Sequence, residues 1–180
     1  MSSAEPGPLA AALTLLRRGR YRVHQFTRGL HPHLAPGEVA EVRGLLRPEE
    51  FRLFLHAEPR DRRHSLDLYR LLVAEGASPA MLVAALVHDV GKGRLATWHR
   101  VAFVVLSGVS PRLVSVIAAE SGAGWRRALW RLQHHAALGA QALEAVGADA
   151  RVVVLVRAHT GPPPDDDAEV ARFIAADDQV

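Results

Sequence analysis

Cysteine is absent from this chain of 180 residues. Disulfide bonds, thiolate zinc sites and thiol nucleophiles are therefore excluded. Any bound metal must be held by histidines and carboxylates. Such ligands suit Mn, Fe, Co, Ni or Zn, and Mg is less favoured where imidazoles dominate.

Lysine is almost as scarce, since Lys92 is the single lysine among 22 basic residues and all the others are arginines. The formal net charge is only +3. Several arginines crowd the segment from Arg17 to Arg28, which could contact nucleic acid or an anionic membrane surface. We favour a solvated helix end for this segment, so a nucleic-acid partner is not expected.

No apolar run is long enough to cross a membrane. The longest apolar region, residues 101–119, is interrupted by Pro111 and Arg112, well short of the roughly 20 residues that a bilayer requires. The apolar residues 9–16 precede positive charges instead of following them, and no cleavage site is apparent, so a signal peptide is not indicated. We expect a cytoplasmic protein without a membrane span.

The composition is that of a folded domain, because 49% of the residues are apolar and the length suits one sizeable core. A helix is predicted from Leu9 to Arg20. We interpret residues 1–59 as an N-terminal arm and helical lead-in packed on the core, and residues 60–180 as the core domain.

Capping residues and a 3.6-residue apolar period predict helices along the rest of the chain. The predicted helices begin at Pro48 and then span 62–75, 79–89, 95–106, 110–120, 125–133, 135–146, 149–159 and the residues after Asp167. The valine-rich run 152–156 favours a strand by propensity, but the helical period fits and no partner strand is apparent. The sequence therefore predicts an all-α fold.

The most informative segment is the pair His88-Asp89, which follows the unbroken apolar run 81–87. An adjacent histidine and aspartate at the end of a buried element place two metal-competent groups where water is scarce. A buried carboxylate is costly unless it meets a cation or strong donors. A metal ion is the simplest partner.

Four further polar residues fall on the apolar stripes of predicted helices: His64, His135, His159 and Asp177. A single inward histidine is usually a hydrogen-bonded core residue. An ionised aspartate is seldom buried without a partner. Five separate segments that direct such groups inward predict a shared site.

The order of these residues is similar to the H…HD…D signature of the HD-domain superfamily of metal-dependent phosphohydrolases. The signature residues are His64, His88, Asp89 and Asp177. Residues 84–92 (AALVHDVGK) resemble the core motif of that superfamily almost residue for residue.

Two downstream segments extend the resemblance. Residues 135–140 (HAALGA) are similar to an H-P-x-x-G segment, and His159 occupies the place of a later histidine. The resemblance spans about residues 60–180. It implies an HD-domain helical bundle, a bound divalent metal and hydrolysis of phosphate esters, often of nucleotides.

The HD-GYP branch, which cleaves cyclic dinucleotides, is not indicated. Its members carry H-H-E and G-x-G-Y-P at the place where this chain has residues 158–164 (AHTGPPP). The glutamate and the Tyr-Pro pair are missing, so we do not expect that substrate.

We predict one metal site with four ligands, which are His64, His88, Asp89 and Asp177. Asp89 is the natural bridge if a second ion binds. By resemblance to dinuclear members, His135 and His159 are candidates for that second site; otherwise they would bind phosphate oxygens or protonate the leaving group. Lys92 could reach a substrate phosphate as a point charge or stabilise the end of its own helix.

The leading hypothesis is a phosphatase or phosphodiesterase that attacks a small phosphate ester, expected to be a nucleotide or a similar molecule, with metal-activated water. One alternative is a non-catalytic HD-fold module for ligand binding or signalling. A third is a di-iron oxygenase of HD type. The residues do not indicate an oligomeric state.

Overall fold

The computed structural model describes residues 33–121 and 124–180. The predicted helix from Leu9 to Arg20 and the arginine-rich segment lie outside these residues. The described part contains nine α-helices and no strand, so the predicted all-α fold is confirmed. In chain order the helices are α1 (Pro36–Leu45), α2 (Pro48–His56), α3 (Pro59–Ala74), α4 (Pro79–Val87), α5 (Thr97–Val109), α6 (Pro111–Ile117), α7 (Trp125–Ala145), α8 (Ala150–Ala158) and α9 (Ala168–Asp177).

The helices begin at residues that favour helix starts. Proline stands in the first turn of α1, α2, α3, α4 and α6, where its missing N–H removes no intrahelical hydrogen bond. The side chain of Ser78 caps α4 by accepting a hydrogen bond from the amide of Met81. Asp149 and Asp167 cap α8 and α9 in the same way. The starts of α2, α4, α6, α8 and α9 were predicted from the sequence, whereas α1 was not predicted and α3 begins at Pro59, three residues before the predicted start.

The structure differs from the prediction between residues 125 and 146. Two helices were predicted there, yet α7 is one continuous helix that ends at Ala145. No glycine or proline lies between Trp125 and Leu138, so nothing in this stretch interrupts the ladder of backbone hydrogen bonds. The valine-rich run is helical as predicted, and it forms the body of α8.

The main hydrophobic core is built from α1 to α4 and α7 to α9. Among its fully buried side chains are Phe54, Leu66, Leu86, Leu143 and Phe173. The helices α1 and α2 contribute Val42 and Phe54 to this core, while the boundary at residue 60 stays a prediction. None of the described helices has the length and apolar character needed to cross a membrane.

A second, smaller cluster joins α5 to α7. Leu95, Ala128 and Leu132 are buried together, and Phe103 of α5 packs against them. A 3₁₀ turn, Val90–Lys92, follows α4 and precedes Leu95 of the second cluster in the chain. The polar residues singled out from the sequence lie at or near this turn.

Candidate metal centre

Five segments of the chain deliver potential metal ligands to one place. The ligands lie within α3, directly after α4, within α7, directly after α8 and at the end of α9. In that order they are His64, the pair His88 and Asp89, His135, His159 and Asp177. The structure therefore brings together every histidine and aspartate that the sequence singled out.

The first group of potential ligands consists of His64, His88 and Asp177. Asp177 Oδ1 is 2.8 Å from His64 Nε2 and 3.5 Å from His88 Nε2. The three ligand atoms lie within 4.8 Å of one another. Since zinc–nitrogen and zinc–oxygen bonds are about 2.1 Å long, small movements would let one ion reach all three.

The second group consists of His88, Asp89 and His159, all of which are buried. Asp89 Oδ2 is 3.5 Å from His88 Nε2, and Asp89 Oδ1 is 3.8 Å from His159 Nε2. His135 stands beside this group, with its Nε2 3.5 Å from Asp89 Oδ1. Asp89 thus presents one oxygen to His88 and the other to the downstream histidines. These buried residues could hold a metal ion.

Backbone carbonyls fix the orientation of three of the imidazoles. The Nδ1 atoms of His88, His135 and His159 lie 3.0, 2.7 and 2.7 Å from the carbonyl oxygen three residues earlier. An Nδ1–H that donates to a carbonyl leaves Nε2 of the neutral ring with its lone pair. Metal-bound histidines are usually oriented by such a bond. The three Nε2 atoms all point toward the centre.

Two buried polar atoms at the centre have no hydrogen-bond partner in the described part of the chain. They are His88 Nε2 and Asp89 Oδ1, and their residues are 1% and 2% exposed. A buried polar atom without a partner is costly and calls for an explanation. A cation between them would give both atoms a partner, and imidazole and carboxylate donors suit a divalent transition metal.

Charge and burial shift the pKa values at the centre in opposite directions. Burial disfavours the charged imidazole of His88, but the carboxylates of Asp89 and Asp177 outweigh it and raise the pKa to about 9. Burial also opposes ionisation of Asp177, yet His88 and His64 lower its pKa to about 2. In the metal-free chain His88 therefore holds a proton at neutral pH, which an incoming cation must displace.

The pKa values of Asp89 and His135 are lowered as well. Burial opposes ionisation of Asp89, but His88 and Lys92 hold its pKa well below the usual range. Burial and the nearby charge of Lys92 lower the pKa of His135 to about 4. At neutral pH the centre therefore presents ionised carboxylates together with a neutral imidazole at His135.

Lys92 is anchored at the centre. Its Nζ lies 2.6 Å from Asp89 Oδ2, so it pairs with one of the predicted metal ligands. The spacing of three residues is the sequence signal for this pair, but sequence reasoning considered only the helix end and the substrate as partners. A cation on Asp89 would compete with Lys92 for the same oxygen.

A buried ion pair near the centre was missed by sequence reasoning. Arg100 of α5 donates two hydrogen bonds to the carboxylate of Asp61 in α3, at 2.7 and 2.5 Å. Asp61 is 3% exposed. In the sequence Asp61 stands among arginines at a helix start, which is typical of solvated charge.

A cavity of about 430 Å³ adjoins the centre. It lies between α3 and α5, and His64, Asp89 and Lys92 form part of its wall. Its volume is that of a site for a small molecule. A molecule bound there would contact both ligand groups through these side chains.

Gly91 allows the 3₁₀ turn to lie against the backbone of α7 beside His135. A Cβ at Gly91 would lie 2.0 Å from the carbonyl oxygen of His135 and 2.5 Å from the amide nitrogen of Gly139. Both are backbone atoms, which cannot rotate aside. The 3₁₀ turn can press against α7 only because residue 91 has no side chain.

We expect Gly91→Ala to lower the free energy of unfolding by about 2 kcal/mol, because the overlap can be relieved only by separating the turn from α7. Urea unfolding followed by circular dichroism measures the loss. Gly108→Ala is the matched control, since a Cβ at Gly108 in α5 meets open space and alanine favours helix. A Gly91→Ala chain as stable as the native one would refute the close approach.

Comparison of the chain with protein-family models, with curated proteins and with solved structures found no match.

Proposed function

We propose that the protein is a metal-dependent phosphohydrolase of the HD type that cleaves a small phosphate ester. The observation that carries the proposal is the convergence of His64, His88, Asp89 and Asp177 around two buried atoms that have no hydrogen-bond partner among the described residues. The H…HD…D order of these residues supports the same assignment. The adjoining cavity supplies room for a substrate.

The four predicted ligands would hold one divalent ion, and His135 and His159 extend the site toward a second. Their Nε2 atoms are 3.2 Å apart, and the former lies 3.5 Å from Asp89 Oδ1. A bound divalent ion supplies Lewis-acid chemistry, which lowers the pKa of water and offsets the charge of a phosphoryl group. We propose Mn, Fe, Co, Ni, Zn or Mg as the ion, with one ion expected and a second accommodated.

The remaining side chains would bind the substrate and accept a proton during the reaction. Lys92 and Arg60 line the cavity and place positive charge where a phosphoryl group would enter. His135 has a pKa lowered to about 4, so at neutral pH its Nε2 carries a lone pair that can accept a proton from water. His159 is held in the same orientation by the carbonyl of Val156.

Elemental analysis of the purified full-length chain tests the proposal. We expect at least one divalent ion per chain. His64→Ala should bind that ion at least about tenfold more weakly, because even the loss of a side chain that only hydrogen-bonds a metal ligand lowers metal affinity by about that factor. His56→Ala is the control, because His56 is exposed and its one hydrogen bond among the described residues is to the carbonyl of Arg52.

A native chain that takes up none of the six metals, even when each is supplied in excess, would contradict the proposal. That result would favour the alternative of a non-catalytic module for binding or signalling. Retention of the ion at native affinity in His64→Ala would remove that residue from the ligand set.

A further inference from the structure

The cavity beside the metal centre has a polar part and an apolar part. The polar part is formed by α3 and the 3₁₀ turn and carries Arg60, Arg63 and Lys92. The apolar part is formed mainly by one face of α5. The valines of that face are Val101, Val104 and Val105.

These three valines are unusually exposed for apolar side chains that share one helical face. They are 57%, 68% and 58% exposed, and their spacing of i, i+3 and i+4 places them on one side of α5. The side of α5 that carries Phe103 already packs against the second cluster. The valine face therefore has no role in the described core, and an exposed apolar face inside a cavity is typical of a ligand site.

Most charged side chains of the cavity already have partners. Asp61 is held by Arg100, and Asp89 by Lys92. Arg63 is held by Glu38 at 2.6 Å. Arg60 has no hydrogen bond or ion pair within residues 33–121 and 124–180 and remains available to an anion.

The described lining contains no phenylalanine, tyrosine or tryptophan on which a nucleobase could stack. Recognition of a base also requires donors and acceptors along its edge. The carboxylates of Asp61 and Asp89 already accept hydrogen bonds from cations, and that of Asp67 interacts with Arg63. The valine face offers only dispersion contacts and removal of apolar surface from water.

We infer that the substrate is a phosphate ester whose leaving group is an alcohol that carries an apolar alkyl or acyl chain, with the valine face of α5 as the determinant of specificity. This inference rests on the proposed function, since the phosphoryl group is placed at the metal centre. Such a chain could belong to a free small molecule or to a membrane lipid, and the chemistry of recognition is the same for both.

The test uses n-alkylphosphonates from methyl to hexyl, which are not hydrolysed, titrated calorimetrically into the full-length chain with Mn²⁺ in excess. We expect affinity to rise about two- to threefold with each methylene, because each is withdrawn from water against the valines. In the double variant Val104→Ser and Val105→Ser this rise should flatten, while methylphosphonate keeps its native affinity.

Val116→Ser is the matched control, because Val116 of α6 is 76% exposed and does not line the cavity. It should leave the dependence on chain length unchanged. An affinity independent of chain length would overturn the inference, and so would adenosine monophosphate binding more tightly than hexylphosphonate under the same conditions.

Two assays identify the source of the chain. Hydrolysis of hexyl phosphate in solution would indicate a free molecule, and hydrolysis of phosphatidic acid in phosphatidylcholine vesicles would indicate a lipid. Binding that depends on chain length, without hydrolysis of any ester, would keep this inference and refute the proposed function. Hydrolysis at a rate that does not depend on chain length would keep the proposed function and refute this inference.

Discussion

Replacement of both His88 and Asp89 by alanine is expected to reduce hydrolysis of phosphate esters at least about 1000-fold. His88 belongs to both groups of potential ligands, and Asp89 faces both sets of imidazoles. Their loss would remove the Lewis-acid contribution, which is worth several kcal/mol in the transition state, and each 1.36 kcal/mol corresponds to about a tenfold change in rate. Steady-state assays with nitrophenyl phosphate and bis(nitrophenyl) phosphate, in each candidate metal, measure the effect.

His134→Ala is the matched control for this experiment. His134 neighbours His135 on α7, but its Nδ1 lies 2.9 Å from the carbonyl of Trp130 and its ring stacks on that indole. It belongs to neither ligand group, so its variant should keep native activity. Circular dichroism should show that all variants retain their helices.

Hydrolysis that survives the loss of both His88 and Asp89 would reject the proposed function. The oxygenase alternative predicts another result. The protein would then require iron and would take up oxygen in the presence of an added substrate, without release of phosphate.

The second large effect is expected at the buried ion pair that joins α3 to α5. Asp61→Ala should lower the free energy of unfolding by about 3 kcal/mol, because it leaves Arg100 without its carboxylate in a position where only 19% of the arginine side chain is exposed. Water in the cavity can replace part of the lost interaction. We therefore expect a loss of stability at the lower end of the range of about 3–5 kcal/mol that is typical of broken buried ion pairs. Urea unfolding measures it.

The exposed pair Glu49 and Arg52 provides the comparison. Its atoms lie 2.6 Å apart, much as those of Asp61 and Arg100 do, but its side chains are 45% and 68% exposed. Glu49→Ala should therefore cost at most about 0.5 kcal/mol. Equal losses for Asp61→Ala and Glu49→Ala would show that burial does not decide the strength of the inner pair. The double variant Asp61→Ala and Arg100→Ala should lose less stability than Asp61→Ala alone.

The convergence of the potential ligands could be predicted from the sequence because each of these residues breaks a local pattern. Asp177 interrupts the apolar stripe of its helix, and His88-Asp89 ends an apolar run. Such violations are visible without knowledge of the fold, since period and burial are linked within a single helix. Capping residues and prolines are local signals in the same way, and they located the starts of most helices, although α1 was missed and α3 begins earlier than predicted.

The contacts between helices could not be predicted in this way. Arg100 meets Asp61 across 39 positions in the chain, and their pairing depends on how α5 packs against α3. The approach of Gly91 to α7 is equally invisible, because a glycine after a helix is also the ordinary signal for its end. The continuity of α7 was also missed, because separate helices were predicted on either side of His134, where the backbone makes no break.

The position of His88 between the two ligand groups has a consequence for occupancy. A neutral imidazole whose Nδ1 donates to a carbonyl has a single lone pair, on Nε2, and that lone pair can coordinate one ion only. An ion bound beside Asp177 that takes this nitrogen leaves any neighbour to depend on Asp89, His135 and His159. Filling one position would therefore change the ligands available to the other, so two ions would not bind independently.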